Sequence, residues 1–157
     1  MSGTFRALRL NKTDDGQSHE IVELTENDLM EGDVTVAVSH STLNYKDGLA
    51  LTGASPVVRV WPMIPGIDFA GVVESSNHAG FQPGDNVILN GFGVGETHFG
   101  GYAGKARVNG DWLINRPDAI SAARAMDFDF FTSTKTSSSR SCRIRSISPP
   151  LPRQRRS

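Results

Sequence analysis

Residues 90–101 read NGFGVGETHFGG, directly after the apolar run NVIL (86–89). A glycine-dense loop behind a strand-like run raises the question of whether it cradles the phosphates of a nucleotide. A dinucleotide loop needs G-x-G-x-x-G opening a helix, so that backbone N–H groups and the helix dipole meet the pyrophosphate. Counted from Gly91 the third glycine falls on Glu96, and counted from Gly93 it falls on His98. The stretch that follows, YAGKARVNGDW, carries Gly104 and Gly110 and lacks the apolar recurrence of a helix. The sequence therefore predicts a tight irregular turn between strands, its glycines supplying positive φ.

Working outward, the first 118 residues are punctuated like a β-rich domain. TFRALRL (4–10) alternates apolar and polar positions, and HEIVEL (19–24) follows a DDGQS turn. GDVTVAVSHS alternates again, with Val34, Val36 and Val38 on one face. DFAGVVES and DNVILNG are short apolar runs bounded by Pro, Gly and Asn, as buried strands are. KARVNGDWLI (105–114) closes the series around an NG turn. NYKDGLALTG (44–53) predicts one or two helical turns ending at Gly53, and PDAISAARAM (117–126) a helix start with Ser121 as N-cap.

At 157 residues and 38% hydrophobic, the chain buries one ordinary core, so one domain is expected. Its net charge of −1 conceals a split. Residues 1–126 carry 9 Lys/Arg against 15 Asp/Glu, whereas residues 127–157 carry 7 Lys/Arg against 2 Asp. That second stretch, DFDFFTSTKTSSSRSCRIRSISPPLPRQRRS, has too little apolar content to repay ordering and is expected to be a disordered Ser/Arg-rich tail. Such a tail has the charge to meet RNA or an acidic surface, but charge runs are more often solvated, and no nucleic-acid partner is expected. The single cysteine, Cys142, excludes a disulfide framework. With no apolar stretch of membrane length and no signal core, the expectation is a soluble, cytoplasmic protein without a membrane partner.

Three stretches together, STLNYKDGLALTG (41–53), PMIPGIDFAGVVE (62–74) and FQPGDNVILNGFGVGETHFGGYAGKARVNGDWLI (81–114), resemble the N-terminal domain of the medium-chain dehydrogenase/reductases. The branch is the zinc-free one of acrylyl-CoA reductases and quinone oxidoreductases. The resemblance runs from about Arg6 to Met126 and implies a partly open, GroES-like β-barrel with short helices. It implies a domain over 1–126 and makes NGFGVGETHFGG a barrel loop near the active-site cleft. In relatives the helix begun by AISAARAM continues into a Rossmann cofactor domain; here the match stops at Met126, and no βαβ unit follows. The join is that of a frameshift, a mis-set gene end or a truncated fusion, so an incomplete enzyme is expected. A stand-alone barrel that binds through its basic tail, and a product without function, remain the alternatives.

The resemblance implies hydride transfer from NADPH to an α,β-unsaturated thioester or carbonyl, with an enoyl-thioester or quinone as substrate and a homodimer in full-length relatives. Cofactor binding by this chain alone is not expected to be stable. Zinc-dependent relatives carry a Cys and a His-Glu pair where this chain has Asn44–Asp47 and Ile67-Asp68, so a thiolate-based zinc site has no ligands. Asn44 offers an amide donor to a developing oxyanion, and Tyr45 resembles a cofactor contact, against the alternative of a barrel-packing tyrosine. Lys46 and Asp47 read as a cap or pair at a helix start, and Asp68 as a residue holding strand geometry. Thr97 and His98 stand on the glycine-rich loop, His98 being the titratable candidate for proton delivery. Trp61 and Trp112 read as packing residues.

Overall fold

The computed structural model describes residues 3–127. The expected disordered tail lies outside the described residues, Asp127 excepted. Nine-residue strands β1 (Phe5–Thr13) and β2 (Gly16–Leu24) form an antiparallel hairpin with Thr13 opposite Gly16. Gly16 takes φ 135°, a conformation that closes the two-residue connection and that a side chain would resist.

A five-stranded antiparallel sheet follows, built from β3 (Val34–His40), β4 (Asp68–Ser76), β5 (Asn86–Asn90), β6 (Lys105–Val108) and β7 (Ile114–Asn115), in the order β6-β3-β4-β5-β7. The residues before β6 stitch the hairpin to this sheet. Leu8 N–H donates to the Tyr102 carbonyl at 2.9 Å, Gly104 N–H to Arg6 at 2.9 Å, and Val38 N–H to Gly104 at 3.0 Å. Residues 102–104 thus bond β1 on one side and β3 on the other. The result is two sheets joined at a seam and left open, a mainly β, GroES-like architecture that does not close into a full barrel. Helix is confined to α1 (Tyr45–Thr52), α2 (Ala122–Asp127) and single 3₁₀ turns.

The period-2 pattern is plainest in β5 and β6, which bury every second residue, whereas β2 has no fully buried position. Val34, Val36, Phe69, Val73, Val87, Leu89, Ala106 and Val108 form the core of the larger sheet. The first half of β4 is buried on both faces, Gly71 included. The NG turn of KARVNGDWLI joins two strands that do not pair with each other. Val108 ends β6 against β3, whereas Ile114 pairs with Ile88 of β5. Asn109 makes the break, its side chain accepting from the Asp111 N–H at 2.9 Å and capping a 3₁₀ turn over Gly110–Trp112. Ser121 caps α2 as expected, its Oγ accepting from Arg124 N–H at 3.2 Å.

Candidate active site

The site grows from the N-terminus of α1. Asn44 is its N-cap, in extended conformation, and Asp47 at the third helical position accepts the Asn44 N–H at 2.9 Å. A carboxylate in the first turn also suits the helix dipole, and Gly53 in the left-handed region ends the helix. Tyr45, the first helical residue, is 84% exposed. Its hydroxyl makes no hydrogen bond with the described residues. The packing alternative for Tyr45 therefore finds no support in its surroundings. Lys46 turns to Glu96 in an ion pair, and the Glu96 carbonyl accepts from Arg59 N–H at 2.9 Å, so the glycine-rich loop is tied to α1 and to residues 59–60.

Beneath Tyr45 lie two buried carboxylates, Asp47 at 1% and Asp68 at 5% exposure. Asp47 accepts from Ile67 N–H at 3.1 Å and from the Asn44 amide Nδ2 at 3.1 Å. Asp68 accepts from Thr42 N–H at 2.9 Å, from the Thr42 hydroxyl, and from the same Asn44 Nδ2 at 2.8 Å. Burial pushes the Asp47 carboxyl above the usual aspartate range, against the pull of its bonds from Asn44, and the Asp68 charge adds to the rise. Tyr102 closes the cluster, its hydroxyl donating to the Thr42 carbonyl at 2.9 Å. Burial raises its phenol pKa further, and the two aspartates contribute, so it stays protonated as a donor.

The glycine-rich loop answers the phosphate question through its amides. Gly91 N–H donates to Ile67, Val94 to Gly91, Gly95 to His98, and Glu96, Thr97 and His98 all to the Gly93 carbonyl. Gly100 and Gly101 donate to Ile64 and Gly66. A phosphate cradle needs such N–H groups free and convergent; here they are spent holding the turn. Gly91, Gly93 and Gly95 take φ values of 91°, 77° and 80°, as the turn requires. His98 sits beneath it, its Nε2 2.8 Å from the Arg107 carbonyl and its ring edge-on to Trp112 at 5.3 Å. Because a carbonyl only accepts, that nitrogen carries the proton.

The structure thus brings Asn44, Asp47 and Asp68 into one cluster with Tyr45 at its rim, and it places His98 in a separate arrangement with Arg107 and Trp112. Thr42 and Tyr102 went unnoticed in the sequence. Their partners lie 26 and 60 positions away, and neither belongs to a local pattern. Among the described residues no three His, Cys, Asp or Glu side chains gather as metal ligands, and no helix is long and apolar enough to cross a membrane. A polar recess of about 520 Å³ opens elsewhere, between Glu31, Asp33, Thr35, Ser76 and Arg107, and shares no residue with the cluster.

Comparison with known proteins adds three findings. The alcohol dehydrogenase GroES-like domain matches residues 30–118. A relative from Escherichia coli, named probable acrylyl-CoA reductase AcuI, is 50% identical over 122 residues, which are 78% of this chain and 38% of the relative. The crystal structure of the yhdH oxidoreductase from Salmonella enterica in complex with NADP matches with a TM-score of 0.75 at 50% identity, over 77% of this chain and 37% of that one. The chain spans about 38% of the length of the curated relatives it matches.

Proposed function

We propose, since the chain belongs to the alcohol dehydrogenase GroES-like domain family, that residues 1–126 are the cleft-forming domain of an NADPH-dependent reductase acting on an enoyl thioester such as acrylyl-CoA. The observation that carries this reading is Tyr45. It projects, exposed and without a partner among the described residues, from a turn that two buried carboxylates and an amide hold in place. A side chain held so firmly at its root and left free at its tip is built to meet something outside the domain. The 50% identity to a relative named as an acrylyl-CoA reductase supports the thioester over a quinone.

The described residues fit one end of the cofactor and not the other. Tyr45 offers a ring and a hydroxyl to the nicotinamide end, whereas most amides of the loop at 90–101 are bonded within the chain, Phe92 and Gly93 excepted, and no helix follows to add its dipole for a pyrophosphate. NADPH, when bound, supplies the hydride delivered to the β-carbon of the unsaturated thioester. Charge then develops on the thioester oxygen and the α-carbon takes a proton. The two N–H bonds of the Asn44 amide face Thr42 Oγ1, Asp47 and Asp68, three acceptors already within 3.1 Å. Its part is accordingly to set the Tyr45 turn, with oxyanion stabilisation open to it only if one of those bonds is released. His98 has its N–H committed to Arg107, so in the neutral ring only the unprotonated Nδ1 faces elsewhere. Its part is to hold the glycine-rich loop, and a proton for the α-carbon would come from it only in the imidazolium form.

Dinucleotide affinity in this family rests on a Rossmann domain, and Tyr45 alone contributes a fraction of it. The 157-residue chain should therefore bind NADPH at about millimolar Kd or weaker and turn over no substrate. NADPH absorbance followed with acrylyl-CoA present tests this, and steady oxidation by the chain itself would refute it.

A further inference from the structure

Two carboxylates buried side by side without a cation are costly to ionise together. Asp47 and Asp68 are such a pair: both accept from one nitrogen, Asn44 Nδ2, at 3.1 and 2.8 Å. Among the described residues no lysine, arginine or histidine bonds either of them. Lys46, adjacent on α1, is engaged with Glu96. From the other elements the pair meets Thr42 and Ser41 of the loop before α1, Ile67 N–H before β4, and the Tyr102 phenol before β6. None of these brings a positive charge.

We propose that Asp47 and Asp68 are positioning residues for Tyr45, sharing one proton across the Asn44 amide, so that the protonation state of the pair sets where Tyr45 projects. With both carboxylates ionised, Asp47 Oδ2 accepts both the backbone and the amide N–H of Asn44, while Asp68 Oδ2 accepts from Asn44 Nδ2 and the Thr42 hydroxyl. One added proton converts an acceptor into a donor. Asn44, whose two amide N–H bonds already serve three acceptors, then redistributes them, and the Tyr45 side chain has no bond among the described residues to resist the shift. The rise of the Asp47 pKa through burial agrees with a proton held within the pair, and coupled carboxyls of this kind titrate in two macroscopic steps. The importance of this for catalysis rests on the proposed reading of Tyr45 as a cofactor contact; the coupling itself does not.

The test is a pH titration of the whole chain followed by NMR, with ¹³C-labelled aspartate and tyrosine and Tyr45→Phe to assign the Tyr45 ring among the two tyrosines. The carboxyl carbons of Asp47 and Asp68 should titrate in two linked steps, and the Tyr45 ring resonances should move with the midpoint of the upper one. In Asp68→Asn the linked steps should collapse to a single step at Asp47, and the Tyr45 displacement at the former upper midpoint should vanish. A Tyr45 ring that stays flat through the wild-type carboxyl titration overturns the proposal, and this arm needs no variant to fold. A full upper-step response persisting in Asp68→Asn overturns it too. No cofactor is present in these arms. Saturation transfer from Tyr45 to NADPH, measured separately, tests the cofactor reading, so the two can fail independently.

Discussion

At Tyr45 and Asp47, neighbours but for one residue, substitution should have opposite consequences. Tyr45→Ala removes a side chain that is 84% exposed and makes no hydrogen bond among the described residues. Its effect on stability should stay within about 0.5 kcal/mol, read as an unchanged Tm. Asp47→Ala removes the acceptor for Asn44 N–H and Ile67 N–H and leaves both donors half-buried without it. That should cost about 3 kcal/mol, read from denaturant unfolding. Because the folded-state pKa of Asp47 is raised above 3.8, the folded chain holds more protons than the unfolded one above that value. The Asp47 contribution is therefore largest below pH 3.8 and diminishes as the pH rises through the folded-state value. Most of this was legible locally: Asp47 as a cap and Asp68 as a holder of strand geometry follow from their places at a helix start and a strand start. That one amide bridges both was not legible, because the link from Asn44 to Asp68 spans 24 positions and depends on how β4 docks.

At the scale of elements, β5 and β6 were legible because they bury every second residue, and the NG pair of KARVNGDWLI was legible as a turn, though not that the strands it joins pair with different neighbours. The seam at 102–104 could not be read, since its bonds reach β1 about 95 residues earlier. Outside the core, Lys105 of β6 joins Glu26 at 2.7 Å and Glu74 of β4 at 2.6 Å. The bond from Lys105 lowers the pKa of Glu26, and the bonds from Glu26 and then Glu74 raise that of Lys105. The Glu26 contribution is present above pH 4.5 and is lost as pH falls through its lowered value; the Lys105 contribution is present below pH 10.5 and is lost as pH rises through its raised value. Lys105→Met should cost about 1 kcal/mol at neutral pH, and its difference from wild type should fade at both extremes of a pH series of melting curves. Gly71→Ala should be far harsher. Its Cβ would stand 2.2 Å from the Ala37 carbonyl across the β3–β4 pair, costing about 3 kcal/mol or preventing folding. Gly84→Ala, with nothing within 4 Å but φ at +98°, should cost only about 1 kcal/mol.

Across the whole molecule, a domain that aims one aromatic side chain outward from a rigid turn, and spends its glycine-rich loop on itself, is suited to be one wall of a cleft. The proposed reaction needs a second wall that holds the pyrophosphate and brings hydride donor and acceptor to reacting distance, the orientation term that dominates such transfers. The decisive measurement is NADPH oxidation with acrylyl-CoA, run in parallel on the 157-residue chain and on residues 1–126 joined to the cofactor domain of the Escherichia coli relative. No turnover by the chain and clear turnover by the fusion, weakened mainly in its use of NADPH by Tyr45→Phe, is the expected result. Turnover by the chain alone, or a folded fusion that stays inert, would contradict it.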